Sequence, residues 1–353
     1  MSVQSGSCGF LQVWALVFAV MSYGAAAWGQ EAPDTQGVKP APIERRAAAK
    51  DAATDAAKEP EQEQSVQPQY VMPPMATYDP AIFQNKIASA DLAFLKQFEG
   101  APSGKLWSDK QFKHFVRSAI PGVMYHYGDD RPLTEAMDNA ISGSRAPVRI
   151  RDGRYVIVAG RSSVYPGLRG EGFVWVDTQE GIVLGGFVFW PTNGEPAPAM
   201  TVWTKQIKTD TISLGQLPPA FQEDLADWQT GWKVPMVTTR YFIGNENMKI
   251  LLQHDEDFCA PANGNYGPSN SDCEQMNADA ADDDMSAAYY LDETGYKTNA
   301  TAWMLNPDQV SFIGVRERTC GGVLDPLGCR LRLTRERTRV VLSRREPVFR
   351  PRR

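Results

Sequence analysis

VRIRDGRYVIV, residues 148–158, is where the chain changes period, and that change decides the fold class. Apolar and polar residues alternate on either side of Asp152-Gly153, a pair that accepts the positive φ angles of a two-residue hairpin turn. Counting outward from the turn places Ile150 opposite Tyr155 and Val148 opposite Ile157 on a face expected to be core. The other face sets Arg151 against Arg154, a like-charge pair that needs an acid or a ligand beside it. More strands follow at GFVWVD (172–177), GIVLGGFVFW (181–190) and MTVWTKQI (200–207), the first two parted by a polar Thr178-Gln179-Glu180-Gly181 turn.

Upstream the period is helical. SDKQFKHFVRSAIPG (108–122) has Ser108 as a cap, Phe112, Phe115, Val116, Ala119 and Ile120 on one face, and a Pro-Gly stop. His114 falls on its opposite, charged face and reads as solvated. A second helix is predicted through RPLTEAMDNAISG (131–143), from Pro132 to just before Gly143. Helices followed by a β-meander imply an α+β fold. LPPAFQEDLADW (217–228) then reads as a helix with Phe221, Leu225 and Trp228 inward, and TTRYFIGNENMKILLQ (238–253) as a hairpin around Gly244 to Asn247. NADAADDDMSAAYYL (277–291) and NPDQVSFIGVRERTC (306–320) read as helices, whereas the L-R-L alternation in DPLGCRLRLTRERTRVVL (325–342) fits a helix or a strand. Trp175, Trp190 and Trp203 offer a sugar-stacking platform, although strand aromatics are more often core.

The first residues carry an apolar run from Phe10 to Met21 and small residues Ala25 to Ala27, which read as a secretory signal over 1–27. Residues 28–76, rich in Ala, Pro, Glu, Gln and Lys, have linker composition and are expected to be disordered. The ordered chain is expected as an α+β domain over 77–237 and a second, mostly helical domain over 238–343, followed by a basic tail, 344–353. An exported chain is expected in the periplasm or outside the cell. There the even set Cys259, Cys273, Cys320 and Cys329 reads as two disulfides, in any of three pairings.

HDEDFCAPANGNYGPSNSDCEQ (254–275) mixes histidine, acids and cysteines in the manner of a metal site. It meets neither the zinc nor the calcium spacing, however, and in an exported chain it reads as a staple. No metal and no cofactor are expected. The net charge is −6, with twelve Arg against four Asp or Glu from Gly314 onward, so the remaining body is strongly acidic. An acidic body argues against nucleic acid and favours a basic partner, while the Arg-rich end allows weak contact with a membrane or cell wall.

QVSFIGVRERTC (309–320), a short loop and CRLRLTRERTRVVL (329–342) resemble the C-terminal half of the LprI-type lysozyme-inhibitor domain. Gln309, Arg316, Cys320 and Cys329 match its spacing, with Phe312 where that family has Trp and Glu317 where it has Asp. Cys259, Cys273 and ADDDMSAAYYL are similar to its first cysteine pair and following helix. The resemblance spans about 250–343 and implies pairing of Cys259 with Cys273 and of Cys320 with Cys329.

The preceding region, about 92–235, is similar in order to the Ivy-type inhibitor of vertebrate lysozyme: a W-x-D-x-x-F helix, the DG hairpin, GFVWVD, a strand ending in TKQ and LPPAF. That family plugs the lysozyme cleft with a histidine on a cysteine-clamped loop. The corresponding loop here, GRSSVYPGLRGEG (160–172), has neither. It offers Arg161 and Arg169 for charged bonds to the cleft's two carboxylates, Ser162 and Ser163 for neutral ones and Tyr165 for stacking. A plain strand connection fits the same residues.

The resemblances imply an inhibitor that binds a lysozyme or another muramidase. The alternative is a cell-envelope module that holds peptidoglycan or lipid. No enzyme is expected: there is no G-x-S-x-G, H-E-x-x-H, P-loop or dinucleotide fingerprint, and His114, His126 and His254 are scattered.

Overall fold

The computed structural model describes residues 74–127, 129–162, 170–260, 270–294 and 306–344. The predicted signal, the linker to residue 73 and the tail from residue 345 lie outside the described residues. The described residues belong to one compact unit of the chain. In order they form α1 (Ser89–Leu92), α2 (Ser103–Trp107), α3 (Lys110–Ala119), β1 (Met124–Tyr127), β2 (Asp129–Pro132) and α4 (Leu133–Ile141). Then come β3 (Arg149–Arg151), β4 (Tyr155–Arg161), β5 (Gly170–Asp177), β6 (Ile182–Phe189), β7 (Ala199–Trp203), α5 (Pro219–Trp232), β8 (Thr239–Ile243) and β9 (Lys249–Leu251). The chain continues as α6 (Asn270–Thr294), α7 (Pro307–Cys320) and α8 (Pro326–Ser343). The class is α+β, as expected.

Strands β3 to β9 form one sheet in sequence order, antiparallel except for β7 and β8. Their side chains alternate between two cores. Val156, Val158, Val174, Val176, Trp203 and Tyr241 face α2–α4 and α6, while Ile157, Phe173, Trp175, Val202 and Phe242 face α5. The sheet is thus covered on both sides, which explains why β5 to β9 are buried at every residue.

The hairpin turn lies where predicted. Asp152 and Gly153 have φ of 56° and 62°, and the Arg154 N–H donates to Arg151 O at 3.0 Å. The ladder, however, resumes one residue later, with Arg151 opposite Tyr155 and Ile150 opposite Val156. Arg154 is the extra residue; its carbonyl accepts from Thr178 N (3.1 Å) instead of from β3. The two arginines do find acids: Arg151 bonds Asp224 and Glu223, and Arg154 bonds both oxygens of Asp177. Between them their guanidinium carbons lie 5.0 Å from the Tyr155 ring centre.

Helix starts follow the local chemistry, with one displacement. Asp109, not Ser108, caps α3, accepting from Gln111 N and Phe112 N, because its carboxylate is the stronger acceptor there. Asn306 and Asp325 cap α7 and α8, each followed by Pro at the first helical position. The C-terminal Arg-rich segment, open between helix and strand in the sequence, is helical.

The boundary expected at 237/238 falls inside the sheet. Ala199 to Trp203 pair in parallel with Thr239 to Ile243, so α5 is the crossover of a βαβ unit and residues 239–251 complete the sheet begun upstream. Two disulfides, Cys259–Cys273 and Cys320–Cys329, tie the region before α6 to that helix, and α7 to α8.

Candidate functional site

The predicted contact loop joins neighbouring antiparallel strands, with Arg161 opposite Glu171 and the Ser162 N–H donating to Gly170 O at 2.8 Å. Its base is fixed by a glycine pair. A Cβ on Gly160 would lie 2.3 Å from Ala140 O, and one on Gly172 would lie 3.1 Å from the Ala140 and Ile141 side chains, so α4 rests directly on the hairpin. Only glycine permits that approach. Arg161 is not a free donor: its guanidinium reaches the fully buried Glu171 (2.8 Å), donates to Trp232 O (3.2 Å) and stacks 4.9 Å from the Trp232 ring centre. Ser162 is buried, and its hydroxyl has no hydrogen-bond partner among the described residues. Ser163, Tyr165 and Arg169 lie outside the described residues.

The remaining marked residues divide. Trp175 and Trp203 are fully buried, and Trp175 Nε1 donates to Asp224 at 2.8 Å, so they are core and not a sugar platform. Trp190 is half-buried against the α5-side core. His114 is exposed on α3, and the side chain of His126 lies outside the described residues. Gln309 and Arg316 face inward. Arg316 donates to Asp282 of α6 (2.5 Å) and to Thr334 of α8 (2.7 Å), while Phe312 packs at the core margin beneath Arg316 and Arg337. Arg316 and the Cys320–Cys329 pair, which carry the resemblance in this part, therefore join helices to one another.

Three polar centres escaped the sequence reading. In the first, Lys249 of β9 pairs with Glu195 at 2.5 Å beneath the rings of Tyr125, Tyr241 and Tyr290, and the Tyr290 hydroxyl donates to the other Glu195 oxygen (3.3 Å). Burial holds the Tyr125 and Tyr241 hydroxyls well above the ordinary tyrosine pKa. A lysine enclosed in this way acts as a structural charge.

In the second, Arg240 makes a bidentate pair with Glu256 (2.7 and 2.9 Å) at the floor of a groove of about 550 Å³ lined by Leu225, Val234, Met236 and Phe258. Burial raises the Glu256 pKa, but the Arg240 charge outweighs it and brings the carboxyl down to about 2. The third centre gathers His254, Asp283 and Asp284. There the His254 backbone N–H and Nδ1 both meet the Asp284 carboxylate at 2.8 Å, and Thr239 Oγ1 donates to Asp283 at 2.7 Å. Burial lifts the Asp283 carboxyl to about 6. No linear motif marks these centres, because each joins residues from separate elements.

Compared with known proteins, the chain matches no family model, no curated protein and no solved structure. Among the described residues no helix is long and apolar enough to cross a membrane. The two disulfides are compatible with a compartment outside the reducing cytosol.

Proposed function

We propose that the chain is an exported, periplasmic or secreted protein that binds and inhibits a lysozyme-like muramidase through the end of the β4–β5 hairpin. The observation that supports this reading most is the hairpin itself: a loop at one end of the sheet whose base is locked by α4 over Gly160 and Gly172. Rigid strands fix where such a loop leaves and rejoins the sheet. The acidic body complements a basic lysozyme and would speed encounter in a salt-sensitive way.

The contact falls to Ser163, Tyr165 and Arg169, because Arg161 is committed to Glu171 and Trp232 and Ser162 is buried. Lysozyme activity on bacterial cell walls is expected to fall at micromolar excess of the protein. Tyr165→Ala and Arg169→Ala should each weaken inhibition about tenfold or more while leaving the melting temperature unchanged, as for central interface residues. Arg161→Ala should instead lower stability, since it uncovers a buried carboxylate. If several lysozyme types keep full activity, the inhibitor reading fails. Sedimentation of the protein with cell-wall sacculi, without inhibition, would support an envelope-binding module in its place.

A further inference from the structure

His254 opens the stretch expected to be only a staple. The staple exists, as Cys259–Cys273, but the histidine turns away from it into the body of the protein, where its side chain is fully buried. We propose that His254 and Asp283, with Asp284 holding the imidazole, form a site for one borderline divalent cation of the Zn2+ type, between the end of β9 and the middle of α6. This inference is independent of the inhibitor reading and uses none of the hairpin residues.

Geometry carries it. A ring nitrogen of His254 and one carboxylate oxygen each of Asp283 and Asp284 lie within 4.8 Å of one another. Asp284 takes both the backbone N–H and the Nδ1 of His254, which places the ring proton on Nδ1 and leaves the Nε2 lone pair bare. Nε2 is buried and meets no hydrogen-bond partner among the described residues. Asp283 repeats the pattern: one oxygen accepts from Thr239, and the other, buried, has no partner there. A buried electron-pair donor without a partner is costly, and one cation that reached both would satisfy them.

Charge balance points the same way. Asp255, Glu256, Asp283 and Asp284 lie within mutual electrostatic reach of Arg240, and Arg335 donates to the His254 carbonyl at 2.6 Å. Four formal negative charges thus face two positive ones, an excess that one divalent cation cancels. An imidazole with carboxylates selects Zn2+ over Ca2+ or Mg2+, which favour all-oxygen shells. The cysteines nearby are closed in a disulfide and supply no thiolate. The ligands come from the segment after β9 and from α6, and Thr239 links the site to β8. The bound ion would therefore pin α6 to the edge of the sheet, as structural zinc does.

The test uses the full, untagged chain, stripped with chelator, dialysed and titrated calorimetrically with Zn2+ alone, with Ca2+ and Mg2+ run in parallel. The expected result is one equivalent of Zn2+, retained on dialysis, with a raised melting temperature and no uptake of Ca2+ or Mg2+. Asp284→Asn, which disturbs only the positioning of the ring, should weaken binding about 10–100-fold, and Asp283→Asn and His254→Gln by at least as much. Co2+ in place of Zn2+ should give a visible spectrum that Asp283→Asn alters. Near-UV circular dichroism establishes folding, and if His254→Gln does not fold, Asp283→Asn decides alone. Folded wild type that takes up no stoichiometric Zn2+, or that takes up Ca2+ instead, overturns the site. So does an Asp283→Asn variant that binds Zn2+ like wild type.

Discussion

Replacing Glu195 with glutamine is expected to cost about 3–5 kcal/mol of folding stability, measured by denaturant unfolding. The Glu195 side chain is 0% exposed and that of Lys249 10%, so the ammonium has almost no water to turn to once its counter-charge is gone. The faces of Tyr125, Tyr241 and Tyr290 also lie over it, and they attract a cation but cannot neutralise it. Glutamine keeps the shape and one acceptor oxygen, so the loss reports charge and not packing. Adding Lys249→Met should restore most of the stability, because a methionine fills the path of the lysine stem and removes the orphaned charge. A loss below about 1 kcal/mol would mean that the pair is solvated and worth no more than a surface contact. A double variant as unstable as the single one would instead assign the effect to strain in the loop that carries Glu195.

The contrast between legible and illegible features follows from distance along the chain. The turn at Asp152-Gly153, the Pro starts of α5 and α7 and the inward Phe221, Leu225 and Trp228 depend on neighbours within a few residues, and periodicity reveals them. Arg154 as an extra residue was hidden because its carbonyl is claimed by Thr178, a partner 24 positions away. The acidic run in α6 misleads most. In a solvated helix Asp282, Asp283 and Asp284 would face water, but successive residues point about 100° apart. Here each direction meets a separate partner: Arg316 and Arg330 for Asp282, Thr239 for Asp283, His254 for Asp284. Two of the arginines that look like a basic end, Arg316 and Arg330, are the counterparts of Asp282. Composition records both sets of charges but not that they face each other across α6 and α8.

That pairing makes Asp282→Ala the second large perturbation, with an expected loss of about 3 kcal/mol. One Asp282 oxygen accepts from Arg316 (2.5 Å) and Thr334 (3.1 Å), and the other from Arg330 (2.6 Å), so a single carboxylate joins α6 to both α7 and α8. Arg316 is buried, and without Asp282 it keeps Glu317 of its own helix, Thr334 and the face of Phe312, which holds the cost at the lower end of the range for a broken buried pair. The damage should be local. Cys320–Cys329 keeps α7 and α8 together, so hydrogen exchange is expected to rise over both as one unit while β5, β6 and β7 stay protected. Asp279→Ala is the control: its side chain is 47% exposed and its contact with Arg330 is 3.2 Å, so it should cost under about 1 kcal/mol. If the two aspartate variants lose equal stability, the carboxylates act only through overall charge. If Asp282→Ala loosens the sheet and the helices alike, α7 and α8 are not a separable unit, and the clamp at Arg316 belongs to the core of the whole fold.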